Sequence, residues 1–220
     1  HSFSRRQRQM CIRDRSSPET LVKVEKNKVT IKPIAGTRLK EKGKEKEIKE
    51  DLLSDPKELA EHLMLLDLGR NDVGRVSKVG SINVKESFQI QETSHLYHIY
   101  STVEGDLNPE EDRVSALCAG FPAGTVTGAP KIRAMEIINE IEDRKRGIYS
   151  GAIGYFSSSG DMDTAIALRT AVIKDNKMYV QAGGGVVYDS DEEYEFNETL
   201  NKAQALFSAA KEVLTKQEIK

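Results

Sequence analysis

The sequence predicts an α+β fold built mainly on antiparallel sheet. Segments with strand character outnumber segments with helical spacing. Most neighbouring strand candidates are joined by turns of hairpin length, which favours antiparallel pairing over the helical crossovers of a Rossmann-type α/β fold. No internal repeat interrupts the pattern.

Taken in order, Leu21 to Glu25 and Lys28 to Lys32 flank Lys26-Asn27 and read as a hairpin. Leu39 to Glu50 is almost entirely Lys and Glu and reads as a solvated loop. Ser54-Asp55-Pro56 supplies a cap and a proline in the first turn, opening a helix expected to reach Leu68 and to be broken by Asn71-Asp72-Val73-Gly74. Ile82 to Ile90 and Leu96 to Val103 read as strands, with Leu96, His98, Tyr100 and Thr102 on one face of the second. A short helix near Arg113 to Cys118 leads into Phe121 to Pro130, and Pro130 opens a helix to about Glu142. Ala152 to Phe156, Met162 to Ile173 and Met178 to Ala182 are strand-like, with turns at Ser158 to Asp161 and Asp175-Asn176. A last helix is expected from Asp191 to about Val213.

With 220 residues the chain can bury a substantial core, as one large domain or two small ones. The formal charge is -2 with both signs interspersed, which argues against nucleic acid or an anionic membrane as main partner. Two cysteines, Cys11 and Cys118, are too few for a disulfide framework and lack zinc-site spacing. No apolar run is long enough to span a bilayer, so a reducing cytoplasm is the expected location. Residues 1–15 are basic and without periodicity. They are expected to be a non-native tail, leaving 16–220 as the folded portion, and a chain beginning at His1 is expected to be a fragment.

Two of the expected helices each carry glutamates three residues apart, Glu58/Glu61 and Glu195/Glu198. That spacing is under one turn, so each pair projects from one face. Leu59, Leu63 and Leu66 cover another face of the first helix, as Phe196, Leu200, Ala203 and Phe207 do on the second. Carboxylates so flanked lie near a core boundary. If the pairs met in one pocket, each like-charge contact at 4 Å would cost about 4 kcal/mol at an effective dielectric of 20. A divalent cation converts such repulsion into coordination, and an all-oxygen set with few donors suits Mg²⁺. Two unrelated, solvated pairs would carry the same spacing.

Gln181 to Val187 contains Gly183-Gly184-Gly185, where bare backbone N–H groups could cradle a carboxylate or phosphate, or simply turn tightly. It matches neither the dinucleotide nor the P-loop fingerprint. Gly124 to Gly128 has similar character ahead of a helix start. Arg169, within an expected strand of small and apolar residues, reads as a buried carboxylate clamp or as a salt bridge across the sheet. His98 reads as a core histidine or a catalyst.

Several motifs in one order carry a resemblance: Ser16 to Glu19, Pro33 to Arg38, Glu58 to Asp72, Ser94 to Ser101, Phe121 to Glu136 (FPAGTVTGAPKIRAME), Gly151 to Phe156 and Gln181 to Val187. Together they resemble the chorismate-binding enzymes, and within them the anthranilate-forming branch. The resemblance implies that family's fold, with mainly antiparallel sheets and helices packed outside. It also implies a reaction in tryptophan biosynthesis: chorismate and ammonia give aminodeoxyisochorismate, and elimination then yields anthranilate and pyruvate.

By position, the resemblance makes Glu61 and Glu198 the principal Mg²⁺ ligands, supported by Glu58 and Glu195, with the ring carboxylate of chorismate completing the coordination. Glu19 falls at the general acid that protonates the departing 4-hydroxyl, a role requiring a carboxyl kept protonated by burial. His98 aligns with the histidine linked to pyruvate elimination. Gly36, Thr37, Tyr149, Arg169 and Gly183 to Gly185 match chorismate contacts, with Thr37 beside the chemistry and Arg169 and the glycines gripping carboxylate; Thr125 and Lys202 line the same pocket. Ala35 discriminates: relatives that make aminodeoxychorismate or isochorismate carry a lysine there, and a methyl group cannot replace it as nucleophile or base. Ammonia is expected from a separate glutamine amidotransferase subunit.

Two substitutions depart from the family pattern, Gly184 for alanine and Tyr97 for methionine. By the resemblance, the family's amino-terminal domain and the first strands of its catalytic domain are expected to lie outside this sequence. Gly154, Tyr155 and Ala165 match the far wall of a tryptophan pocket, and no tryptophan inhibition is expected of the chain as it stands. The alternatives are another chorismate-using synthase, forming aminodeoxychorismate, isochorismate or salicylate; an inactive fragment; and a phosphate-binding module.

Overall fold

A computed structural model describes residues 19–93, 96–175, 177–188 and 190–218. The tail 1–15 with Cys11, Ser16 to Pro18, Ser94, His95 and Asn176 therefore lie outside the described residues. The chain separates into two compact units. One runs to Ile141 and takes in Ala152–Ile166; the other comprises Glu142–Gly151 and everything from Ala167 onward.

In the first unit β1 (Thr20–Glu25) and β2 (Lys28–Ile31) form the expected hairpin. Lys26 and Asn27 both have positive φ, 51° and 60°, the geometry of a two-residue turn that matches strand twist. After β3 (Ile34–Leu39) comes a helix, α1 (Glu45–Ser54), where a solvated loop was expected. The Lys/Glu run conceals Ile48 and Leu52 one turn apart. Leu52 is fully buried against Tyr97 and Ile99, with Ile48 packed beside it, while Glu45, Lys46, Glu47 and Glu50 face solvent.

Next, α2 (Pro56–Gly74) begins as expected: Asp55 caps it by accepting from the amides of Lys57 and Glu58 at 2.9 and 3.3 Å. It does not break at Asn71. Gly69 lies 3.6 to 3.9 Å (measured from where a Cβ would be) from Ile31, Val103 and Pro33, and Val73 is fully buried. Packing outweighs the weak helix propensity of Asn71, Asp72 and Gly74. Leu66 is buried on this helix, but Leu63 is half exposed.

Strands β4 (Asn83–Glu92) and β5 (Leu96–Asp106), helices α3 (Arg113–Gly120) and α4 (Lys131–Ile141), and strands β6 (Ala152–Phe156) and β7 (Met162–Ile166) complete the unit. Among the described residues the strands form one seven-stranded sheet, ordered β3-β5-β2-β1-β7-β6, with β4 also on β5. Every pairing is antiparallel. β5 pairs with β4 along one edge and with β3 and β2 in succession along the other. Val22, Val24, Val29, Ile99, Val103 and Met162 form its buried centre.

In the second unit β8 (Ala171–Lys174) and β9 (Lys177–Val180) make a hairpin, and α5 (Glu192–Glu218) closes the chain. The expected long strand from Met162 to Ile173 is not continuous. It stops at Ile166, Ala167 exchanges backbone hydrogen bonds with Ser150 and Gly151, and Arg169 takes a left-handed φ of 50°. The partly covered stripe of α5 carries Glu195, Glu198, Thr199, Lys202 and Ala203, whereas Phe196, Leu200 and Phe207 are exposed.

Among the described residues no helix is long and apolar enough to cross a membrane.

Candidate active site

The pairing of β3 with β5 brings Gly36, Thr37 and His98 together from positions about sixty residues apart. The register shifts between Ala35 and Arg38, and Gly36 sits at φ 69°, so the backbone bulges there. A side chain at Gly36 would also crowd Glu58 Oε2 and Leu52. The bulge turns the Gly36 carbonyl and the Thr37 hydroxyl toward His98 Nδ1, each at 3.1 Å. A carbonyl only accepts, so this bond assigns the proton to Nδ1 and leaves Nε2 as the basic nitrogen. The ring is 8% exposed, which suits a base held in one tautomer.

Glu58 and Glu61 project from the first turns of α2, both partly buried. Arg38 Nη1 donates to Glu58 Oε1 at 3.1 Å, and its other nitrogens reach Asp55 at 2.6 Å and Asp51 at 2.8 Å. Burial pulls the Arg38 guanidinium down, but its three carboxylate partners together hold it well above its ordinary value. Asp55 moves the other way: burial pushes it up, yet Arg38 and the helix amides hold it below the usual range. Arg38 thus fixes the start of α2 and the direction of Glu58. Sequence reasoning gave Arg38 no role, because its partners lie 13 to 20 residues away on elements whose packing no local pattern specifies.

Glu19 and Thr125, 106 residues apart, also meet: the Thr125 hydroxyl donates to Glu19 Oε2 at 2.8 Å. The Glu19 carbonyl accepts from Ile166, anchoring it to β7. Both side chains line a cavity shared with Leu65, Leu68, Asp72 and Ile166.

The second unit carries its own cluster. Ser190 donates to Glu195 Oε1 at 3.1 Å. A Cβ at Gly184 would stand 3.2 Å from Glu195 Oε2 and 3.5 Å from Glu198 Oε2, so both carboxylates turn oxygens toward the glycine segment. Lys202, one turn beyond Glu198, donates to its Oε2 at 3.0 Å and to the Gly183 carbonyl at 3.3 Å. The Tyr149 hydroxyl lies against Gly183, and the Arg146 guanidinium covers the Tyr149 ring at 5.7 Å. Arg146 is itself clamped by Glu142 and reaches Ser150 at 3.3 Å. Neither Arg146 nor Ser190 was singled out from sequence; only the i, i+4 spacing of Glu142 and Arg146 could have signalled the first pair.

Arg169 lies outside any strand and is exposed, so the position within a strand from which both sequence readings of it started is not observed. Within each unit, among the described residues, no three His, Cys, Asp or Glu side chains gather into a metal-sized cluster. The donor chemistry nonetheless fits Mg²⁺: Glu195 and Glu198 offer hard carboxylate oxygens on one face, both turned toward Gly184.

The sequence pattern of the chorismate binding enzyme family matches residues 15–208. The chain belongs to that family. It is 59% identical over 199 residues to an anthranilate synthase component 1 of Cereibacter sphaeroides, covering 90% of this chain and 40% of the relative. To the enzyme of that name from Pseudomonas putida it is 57% identical over 196 residues, covering 88% and 40%. Among solved structures of the family, anthranilate synthase component I from Streptococcus pneumoniae superposes with a TM-score of 0.80 at 52% identity, over 86% of this chain and 42% of that one. A 2,3-dihydroxybenzoate-specific isochorismate synthase from Bacillus anthracis, assigned as putative, follows at 0.78 and 30%, over 88% and 52%. The chain thus spans about two-fifths of the length of the curated relatives it matches. The α+β fold with mainly antiparallel sheet agrees with these neighbours.

Proposed function

We propose that the chain forms the chorismate-handling part of an anthranilate synthase component I, converting chorismate and ammonia to anthranilate and pyruvate with Mg²⁺, the ammonia coming from a glutamine amidotransferase subunit. The observation that carries this reading is the group formed by the Gly36 carbonyl, the Thr37 hydroxyl and His98, which holds a histidine with Nε2 as its basic nitrogen. Such a nitrogen can take the ring proton whose loss aromatises the aminated intermediate as enolpyruvate leaves.

Glu58, Glu61, Glu195 and Glu198 are the residues that would hold Mg²⁺, which supplies Lewis-acid stabilisation of charge near the ring carboxylate. Glu19, steadied by Thr125, is placed on this reading to protonate the 4-hydroxyl as it departs as water while ammonia adds at the ring. Lys202, Tyr149 and the Gly183–Gly185 backbone offer a cation, a hydroxyl and close N–H groups to carboxylates, with Arg169 from its exposed position as a further cation. Ala35 carries no side-chain nitrogen, so position 35 supplies no lysine nucleophile or base.

The test is ammonia-dependent anthranilate fluorescence with the unaltered chain, Glu198→Ala and His98→Met. Glu198→Ala should abolish turnover, and His98→Met should accumulate the aminated, still enolpyruvyl-bearing compound. Equal activity in all three would remove the assignment. The likeness to an isochorismate synthase at 30% identity supports a second reading, water in place of ammonia, and mass spectrometry of the product separates the two.

A further inference from the structure

Lys202 stands in an unusual relation to the proposed metal ligand. Its ammonium sits 3.0 Å from Glu198 Oε2, and that same oxygen faces Gly184 together with Glu195 Oε2. The second contact of the ammonium, 3.3 Å to the Gly183 carbonyl, ties it to the glycine segment. A monovalent cation therefore already occupies the space beside the oxygen that a divalent ion would need. Glu198 precedes Lys202 by four residues on α5, the favourable order for a helical ion pair. Both side chains are about one-third exposed, at 36% and 34%, so the pair is weak and easily exchanged.

We propose that Lys202 is a latch on the cation site: it holds Glu198 in the metal-free state, is displaced when Mg²⁺ takes that oxygen, and then offers its ammonium to a carboxylate of the substrate. This rests on the proposed Mg²⁺ role of Glu198. Such a latch makes divalent cation and anionic ligand cooperative through a residue of the chain as well as through their own contact. Two cations cannot share Oε2 at hydrogen-bonding and coordination distance without mutual repulsion, so Mg²⁺ binding expels the ammonium. An expelled lysine on a short tether next to Gly183 remains beside the N–H groups suited to a carboxylate. Because linkage is reciprocal, a carboxylate ligand that draws Lys202 away must tighten Mg²⁺ binding by the same factor.

The experiment titrates Mg²⁺ calorimetrically into the 220-residue chain without chorismate, comparing it with Lys202→Met, Lys202→Gln, Glu198→Gln and Lys211→Met. The last removes an equal charge from α5 at a site about two and a half turns beyond Lys202. Loss of the latch should tighten Mg²⁺ binding about two- to fivefold in both Lys202 variants, the range expected for removing a partly exposed ion pair. Lys211→Met should match the unaltered chain. Chorismate titrations with and without Mg²⁺ should then show a smaller Mg²⁺ enhancement in Lys202→Met. Unchanged Mg²⁺ affinity in the Lys202 variants, with weakened binding in Glu198→Gln, overturns the latch and leaves the metal reading standing. Mg²⁺ binding that is absent, or indifferent to Glu198→Gln, overturns both.

Discussion

His62 is fully buried on α2, with Nε2 2.7 Å from the Ser101 hydroxyl and its ring edge-on to Phe88 at 4.8 Å. Among the described residues its Nδ1 has no hydrogen-bond partner. Burial lowers the imidazole from 6.5 to about 4, because the charged ring would lack both water and a counter-ion. The unfolded chain takes up this proton near pH 6.5 and the folded chain resists it to about pH 4, so the unfolded state binds more protons across that window. Stability from neutral His62 is thus complete above about pH 6.5 and is lost as pH falls toward 4. The full loss is at most about 3 kcal/mol, at 1.36 kcal/mol for each unit of pKa. In His62→Gln the group no longer titrates, while an amide can still reach Ser101. We expect a neutral-pH cost of roughly 1–3 kcal/mol from lost packing on Phe88. The stability difference between the two proteins should then shrink, by up to about 3 kcal/mol, as pH is lowered from 7.5 to 4. Urea unfolding followed by far-ultraviolet circular dichroism at five or six pH values measures it. A difference that stays constant across the range refutes the buried-neutral account of His62.

Asp55→Ala removes the α2 cap and one partner of Arg38 together, and should cost about 1–2 kcal/mol in the same urea assay, with Asp55→Asn recovering part of it as a cap. The ion pair of Asp72 with Lys131, 2.8 Å long and with side chains 6% and 13% exposed, should respond asymmetrically. Lys131→Met leaves a buried, unpaired carboxylate and should cost about 3 kcal/mol at pH 7, more than Asp72→Asn. Burial already pushes Asp72 up against the pull of Lys131. Without Lys131 the folded chain should bind the Asp72 proton at still higher pH than the unfolded chain does. The variant should therefore regain stability relative to the unaltered chain as pH falls below neutrality, and a growing deficit would count against this.

Local pattern made several elements legible: the Lys26-Asn27 hairpin, the Asp55-Pro56 helix start and the long β5 each follow from signals within a few residues. The failures share a cause. Ile48 and Leu52 turned a charged segment into α1 because a hydrophobic surface on β5 awaited them. Packing at Gly69 and Val73 carried α2 through Asn71-Asp72. A backbone exchange with Ser150 and Gly151 ended β7 before Arg169. In each case a contact distant in sequence overrode a local preference worth less than about 1 kcal/mol per residue.

By itself the sequence determined the antiparallel α+β class, the family and which residue types could do chemistry, because periodicity, turn residues and ordered motifs are local properties of the chain. Only the tertiary structure decided how those residues are held: that Gly36 and Thr37 meet His98, that Thr125 meets Glu19, that Arg38 steers Glu58, and that Lys202 reaches the Gly183 carbonyl. The register of β3 on β5 and the turn of α5 toward the glycine segment set those distances, and hydrogen bonding and charge act only over a few ångströms.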